Sequence, residues 1–216
     1  MPEKVARDDG VSPSCLAGIF VGGRASRMSG VPKGLLQPPG AESTIVERHV
    51  AALQSLGIQE IVIVGEGAAY RHLQLTNIAD APFVAGPLAG LLGLAEFALR
   101  RHYDFMLALA CDMPNVDAGL LQRLLVEFPE AAALVPRRTH WEPLCARYRP
   151  GAILEPIHQL VNEGRVRLSA LMDELGAACV ALPLGALDEA ALDDWDCPGD
   201  MPPGVRIGGR LLKHGD

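Results

Sequence analysis

The sequence predicts an α/β domain of the Rossmann-like, three-layer kind, with a mostly parallel central sheet. Two observations carry that expectation. Uniformly apolar strand candidates alternate with helix candidates over the first 135 residues, which is the pattern of βαβ units with helices on both sheet faces. Glycines or an acid follow two of those strands directly, and open α/β sheets bind ligands at strand carboxyl ends.

The elements follow in order. Residues 1–13 read as a loose, flexible tail, polar and without the apolar segment of a signal peptide. Residues 14–216 read as a single domain. Cys15 to Val21 is a strand running into Gly22-Gly23, and a polar loop continues to Gly34. Thr44-Ile45-Val46-Glu47 has the spacing of a capping box, so a helix starts there, runs to Leu56 and stops at Gly57. Ile61 to Val64 is a β-branched, buried strand. Pro87 suits the first turn of a helix spanning Leu88 to Arg101. Phe105 to Ala110 is another buried strand, closed by Cys111-Asp112-Met113-Pro114. A helix is expected over Leu120 to Phe128 and a strand over Ala131 to Val135. Beyond residue 136 the alternation weakens. Helices are expected near 151–163 and 167–175, with a short strand near 178–182.

Composition narrows the function. Hydrophobic residues make up 49% of 216, enough for one well-buried domain. The formal net charge of −7 rules out a global basic field for nucleic acid. The five cysteines form no CxxC pair and are odd in number, which argues against a disulfide scaffold or a structural zinc site and fits a reducing, cytoplasmic setting. No apolar run approaches the ~20 residues of a membrane span.

Four places could carry chemistry. From Gly22 to Gly34 an acidic chain places Arg24, Arg27 and Lys33 within ten positions, directly after a strand. Glycine amides approach anions closely and the basic side chains neutralise phosphate charge. The same stretch also reads as a solvated basic loop. Asp112 ends a chargeless strand, where a carboxylate can hold Mg²⁺ against phosphates or, alternatively, cap the next helix. Gly86-Pro87-Leu88-Ala89-Gly90 opens a helix with small residues, suited to a planar base or to tight helix–sheet packing. Asp194 and Asp196 stand two apart in an acidic turn. The six histidines are scattered and read as structural or exposed.

Together these segments resemble the molybdenum cofactor guanylyltransferases and their cytidylyltransferase relatives. Gly22-Gly23-Arg24, Arg27-Met28, Gly30 and Lys33-Gly34-Leu35-Leu36 are similar to the G-G-R-x-x-R-M-G-G-x-D-K-G-L-L signature. Asp80 with Gly86 to Gly90 is similar to D-x(5)-G-P-L-A-G, and Ala110 to Pro114 to the metal-binding A-C-D-M-P. Glu142 to Tyr148 is similar to the P-L-x-A-x-Y strand, and Gly164-Arg165 with Leu168 to the G-R-x-S-L region. Departures are Phe20-Val21 for L-A, Ser29 for the first glycine after methionine, Pro32 for an aspartate, and Asp194 to Asp200 for N-x-N-T-P-E-D.

The resemblance implies a nucleotidyltransferase fold and the transfer of a nucleoside monophosphate, GMP from GTP in the first instance, to the phosphate of molybdopterin. It implies Lys33, Arg27 and Asp112 as catalytic groups. Gly22, Gly23, Arg24, Lys33, Asp80, Gly86, Pro87, Leu88, Gly90 and Asp112 would bind nucleotide, and Asp112 and Asp196 would share one Mg²⁺ with their carboxylates about 4–7 Å apart. Residues 14–135 would form the nucleotide-binding half and 136–200 the acceptor-binding half. Transient contact with other proteins of molybdenum cofactor synthesis is also implied. The departures leave open a different nucleotide and acceptor, or a non-catalytic nucleotide-binding regulator.

Overall fold

The computed structural model describes residues 14–21, 31–82, 84 and 86–212. Its elements run β1 (Cys15–Phe20), β2 (Leu36–Gln37), α1 (Ile45–Ser55), β3 (Ile61–Val64), β4 (Thr76–Ile78), α2 (Pro87–Arg100) and β5 (Phe105–Ala110). There follow α3 (Ala118–Val126), β6 (Ala133–Pro136), β7 (Cys145–Tyr148), α4 (Pro150–Asn162), α5 (Leu168–Leu175), β8 (Cys179–Leu182), α6 (Ala186–Ala191), β9 (Arg206–Ile207) and β10 (Arg210–Leu211).

One seven-stranded sheet has the order β4-β3-β1-β5-β7-β6-β8. All its pairings are parallel except those of β7, which runs against both β5 and β6. Strands β1, β3 and β5 are apolar throughout because both faces are covered. Leu16, Val62 and Val64 face a layer containing α2, α4 and α5, whereas Ala17, Ile61 and Ile63 face α1 and α3. That is the expected three-layer α/β architecture.

Local signals explain most boundaries. Thr44 and Glu47 form the reciprocal capping box at the start of α1, and Gly57 takes φ +82 just past its end. Pro87 stands at the first turn of α2. Helix α3 begins two residues earlier than expected because Asp117 caps it, accepting from the Leu120 amide at 2.9 Å. The cap of that helix is thus Asp117, which frees Asp112 from the capping alternative. The strand expected over 131–135 is shifted to Ala133–Pro136.

Strand β7 carries the fully buried Arg147. Its guanidinium donates to the carbonyls of Leu124 and Glu127, both at 2.9 Å, and to that of Phe128. It satisfies the orphan carbonyls at the end of α3 and lies over the Phe105 ring at 4.5 Å. A second, three-stranded antiparallel sheet, β10-β9-β2, covers a small core of Leu36, Ile45, Trp195, Met201 and Val205. This core pins the segment after α6 against the start of α1.

Candidate active site

Strands β1 and β5 lie side by side with Phe20 opposite Ala110, and the Cys111 amide extends the ladder to the Phe20 carbonyl at 3.1 Å. The chain therefore leaves both strands at one point of the sheet's carboxyl edge. Gly22, Gly23, Arg24 and Arg27 lie outside the described residues. Lys33 opens a 3-10 turn, Lys33–Leu35.

What aims Lys33 is the glycine after it. A Cβ on Gly34 would stand 2.9 Å from the Tyr70 ring and hydroxyl and 3.1 Å from Cys111 Cβ. Only a residue without a side chain lets the turn press against the residue preceding Asp112. The Lys33 ammonium consequently reaches Asp112 Oδ2 at 3.0 Å and Asp196 Oδ1 at 2.6 Å. Partial burial pulls this amine toward neutrality, but hydrogen bonds and charge from Asp196 and Asp112 outweigh it and hold its pKa above the ordinary value.

Asp196 arrives through backbone. The buried Trp195 donates its amide to the Asp112 carbonyl at 2.9 Å, clipping the C-terminal segment to the end of β5. The Asp200 carboxylate then accepts the amides of Asp196 and Cys197 at 2.9 and 2.7 Å. Both carboxylates touch one ammonium, so their bonded oxygens are no farther apart than those two ion-pair lengths laid end to end. Asp194 faces the same group: burial first, then the charges of Asp196 and Asp112, push its pKa up.

Across β1, the nucleotide-side candidates gather at the other part of the edge. Gly86 takes φ +73 with open space around its α-carbon, immediately before Pro87 at the head of α2. Gly90 is packed instead: a Cβ there would meet Phe20 and Val64 at 2.9 Å and the Asp80 carboxylate at 3.1 Å. The two glycines of the motif thus answer different needs, one conformational and one steric. Leu88 is fully buried in the α2 core layer, whereas Pro87 is exposed. Desolvation raises the pKa of Asp80.

Two residues near the edge had no functional place in the sequence reading, which took His49 with the other histidines as structural or exposed. His49 is fully buried, with Nε2 2.9 Å from the Met113 carbonyl. Its position in α1, in phase with Ile45, Val46 and Leu53, was the available signal. Tyr70, in the 3-10 helix Gly67–Leu73, is buried against Gly34 and carried no motif.

No group of three or more metal-ligating side chains exists among the described residues. Two carboxylates nevertheless already hold one cation, the Lys33 ammonium, between them. That donor set suits a hard divalent ion, which takes few protein carboxylates and completes its shell with water and phosphate oxygens.

A mostly parallel α/β sheet with a Lys33-bridged acid pair at its carboxyl edge suits a nucleotidyltransferase, the class to which the family match assigns the chain. Residues 17–178 match the MobA-like NTP transferase domain, and the chain belongs to that family. It is 31% identical over 194 residues to the molybdenum cofactor guanylyltransferase of Pseudomonas putida (strain GB-1), covering 86% of this chain and 95% of that one. It is 30% identical over 202 residues to the probable molybdenum cofactor guanylyltransferase of Mycobacterium marinum, covering 89% and 94%. The fold is shared with molybdopterin-guanine dinucleotide biosynthesis protein A from Archaeoglobus fulgidus, at TM-score 0.65 and 22% identity over 85% of this chain and 93% of that one. It is also shared with 2-C-methyl-D-erythritol 4-phosphate cytidylyltransferase from Thermus thermophilus, at TM-score 0.60 and 17% identity over the same shares. These comparisons agree with the resemblance drawn from the motifs. None of the described helices is long and apolar enough to cross a membrane.

Proposed function

We propose that this chain transfers GMP from GTP to the phosphate of molybdopterin, releasing pyrophosphate. The observation that carries the reading is the meeting of Lys33, Asp112 and Asp196 at one point of the carboxyl edge, from three stretches far apart in sequence. An acceptor phosphate oxygen attacks the α-phosphorus, and the bond to the leaving pyrophosphate breaks. The attacking oxygen is already anionic, so the protein's task is alignment and charge neutralisation rather than proton abstraction.

Asp112 and Asp196 are the residues that would hold Mg²⁺, which supplies positive charge against the phosphate oxygens. Lys33 then has a second role. It neutralises the acid pair in the ligand-free protein and would be free to serve a substrate phosphate if a divalent ion were held there. Gly22, Gly23, Arg24 and Arg27 would line the triphosphate beside it. Asp80, exposed Gly86 and Pro87, and the main chain at Leu88 would meet ribose and base. Gly90 would serve that site by letting α2 close on Asp80. In this reading 14–135 is the nucleotide half and 136–200 the acceptor half. The setting is the cytoplasm, with transient contact to other proteins of cofactor synthesis.

Pyrophosphate release across the four nucleoside triphosphates, with Mg²⁺, with and without molybdopterin, tests the reading. Release with GTP that requires molybdopterin is expected. CTP preference would move the chain to the cytidylyltransferase side, the branch that Pro32 and Asp194-Trp195-Asp196 leave open. Nucleotide binding with no release from any of the four would make it a regulator.

A further inference from the structure

His49 is polar, fully buried and on the apolar face of α1. A carbonyl can only accept, so the 2.9 Å contact to Met113 fixes the hydrogen on Nε2 and leaves Nδ1 the bare nitrogen of a neutral ring. No hydrogen-bond partner reaches Nδ1 among the described residues. Burial pushes the ring's pKa down to about 4, consistent with that neutral form. A leucine would fill similar space without burying an unpaired nitrogen. Packing alone therefore gives no reason for histidine here, and the single bond to Met113 does.

Met113 directly follows Asp112. The Met113 carbonyl also closes the turn to the Val116 amide at 3.4 Å. The Asp112 carbonyl is taken by Trp195, and the Cys111 amide by Phe20. The peptides around Asp112 are thus tied to β1, to the C-terminal segment and, through the His49 hydrogen bond, to α1.

We infer that His49 is a positioning residue for nucleotidyl transfer: its Nε2–H bond to the Met113 carbonyl sets the turn that aims the Asp112 carboxylate at Lys33 and at the cation position. The inference rests on the function proposed above. It makes the Ile45–Ser55 helix part of the active-site scaffold rather than a covering layer.

The test compares His49→Leu with His49→Gln, whose amide nitrogen reaches the Nε2 position and donates. Supports of metal-binding carboxylates typically contribute 10–100-fold to activity or metal affinity. The leucine variant should lose kcat by about that factor, with KM for the nucleotide little changed and the Mg²⁺ requirement raised; glutamine should recover most of the loss. Hydrogen exchange at residues 112–116, measured without substrate, should quicken in the leucine variant and stay near wild type in the glutamine variant. If the wild-type protein releases no pyrophosphate at all, the functional reading fails while the exchange rates still decide the geometry. Unchanged exchange in the leucine variant, or quickened exchange with unchanged kcat and Mg²⁺ requirement, overturns the inference. If the leucine variant does not fold, His49→Asn replaces it, since asparagine is polar but too short to donate to Met113. Equal activity of the asparagine and glutamine variants would overturn the inference too.

Discussion

The two ends of the central sheet satisfy their polar groups in different ways. At the amino end, Ser14 meets Asp104 through its amide at 2.9 Å and its hydroxyl at 3.0 Å, and Tyr103 donates to Glu60 at 2.8 Å. Arg101 adds a looser ion pair to Glu60 at 3.4 Å. These groups sit at the rim and each has water as an alternative partner. At the carboxyl end, Lys33 is shared between two carboxylates, a buried imidazole keeps one nitrogen bare, and Gly34 leaves no room for a methyl group. Apart from the buried Arg147 guanidinium over Phe105, the amino end is organised for stability at low stakes. The carboxyl end keeps arrangements that stability alone would not select, which is where function is expected.

Substitutions at the two ends should therefore differ in kind, and the largest effect should come from Asp112. Asp112→Asn should abolish pyrophosphate release while the thermal midpoint stays near wild type, as read by differential scanning calorimetry. Normal turnover would place the chemistry elsewhere. Lys33→Met comes next. Losing a charge-assisted contact to a transferring phosphate costs about 2–4 kcal/mol of transition-state stabilisation. The same variant should bind Mn²⁺ more tightly than wild type in the absence of nucleotide, because the acid pair has lost its internal cation. Electron paramagnetic resonance would report that directly, and weaker Mn²⁺ binding would break the partner-exchange role of Lys33.

A third comparison uses pH. The His49 ring has a folded-state pKa of about 4 against a reference of 6.5. Above 6.5 neither state binds the proton. Between 6.5 and 4 the unfolded chain binds a proton that the folded chain refuses, so stability falls as pH falls. The full effect is roughly 3 kcal/mol. Urea titrations at pH 7 and pH 4.5 should show a smaller acid loss in His49→Leu than in wild type; equal losses would count against a neutral buried ring. The smallest effect should come from the amino end. Tyr103→Phe removes one hydrogen bond at the rim, should cost about 1 kcal/mol or less, and should leave kcat and KM unchanged.

Much of the fold was legible because local and global signals agreed. The apolar runs at Cys15, Ile61 and Phe105, the Thr44–Glu47 box, Gly57 and Pro87 each dictate one boundary, and each stands where expected. Strand β7 was visible only through the family motif, since Arg147 breaks its apolar pattern and the reason for burying a guanidinium, the open end of α3, lies twenty residues away. Strands β2, β4, β9 and β10 are too short to show a period. At the site, the resemblance pointed to Asp112 and Asp196 as a pair and to Lys33 apart from them. Their joint ion pair is a tertiary fact, as is the contact between His49 and Met113.

The place of β1 has a consequence for how the protein is made. Among the described strands it comes first in the chain, yet its two neighbours begin at Ile61 and Phe105. Until residues 105–110 have emerged from the ribosome, β1 has at most one edge paired and its other edge is an exposed template for wrong strands. The β1–β5 ladder is also the one that brings Phe20 beside Ala110 and so assembles the site. In a nascent chain the candidate site's edge cannot form before residues 105–110 have emerged, and a chain truncated before residue 105 would lack it.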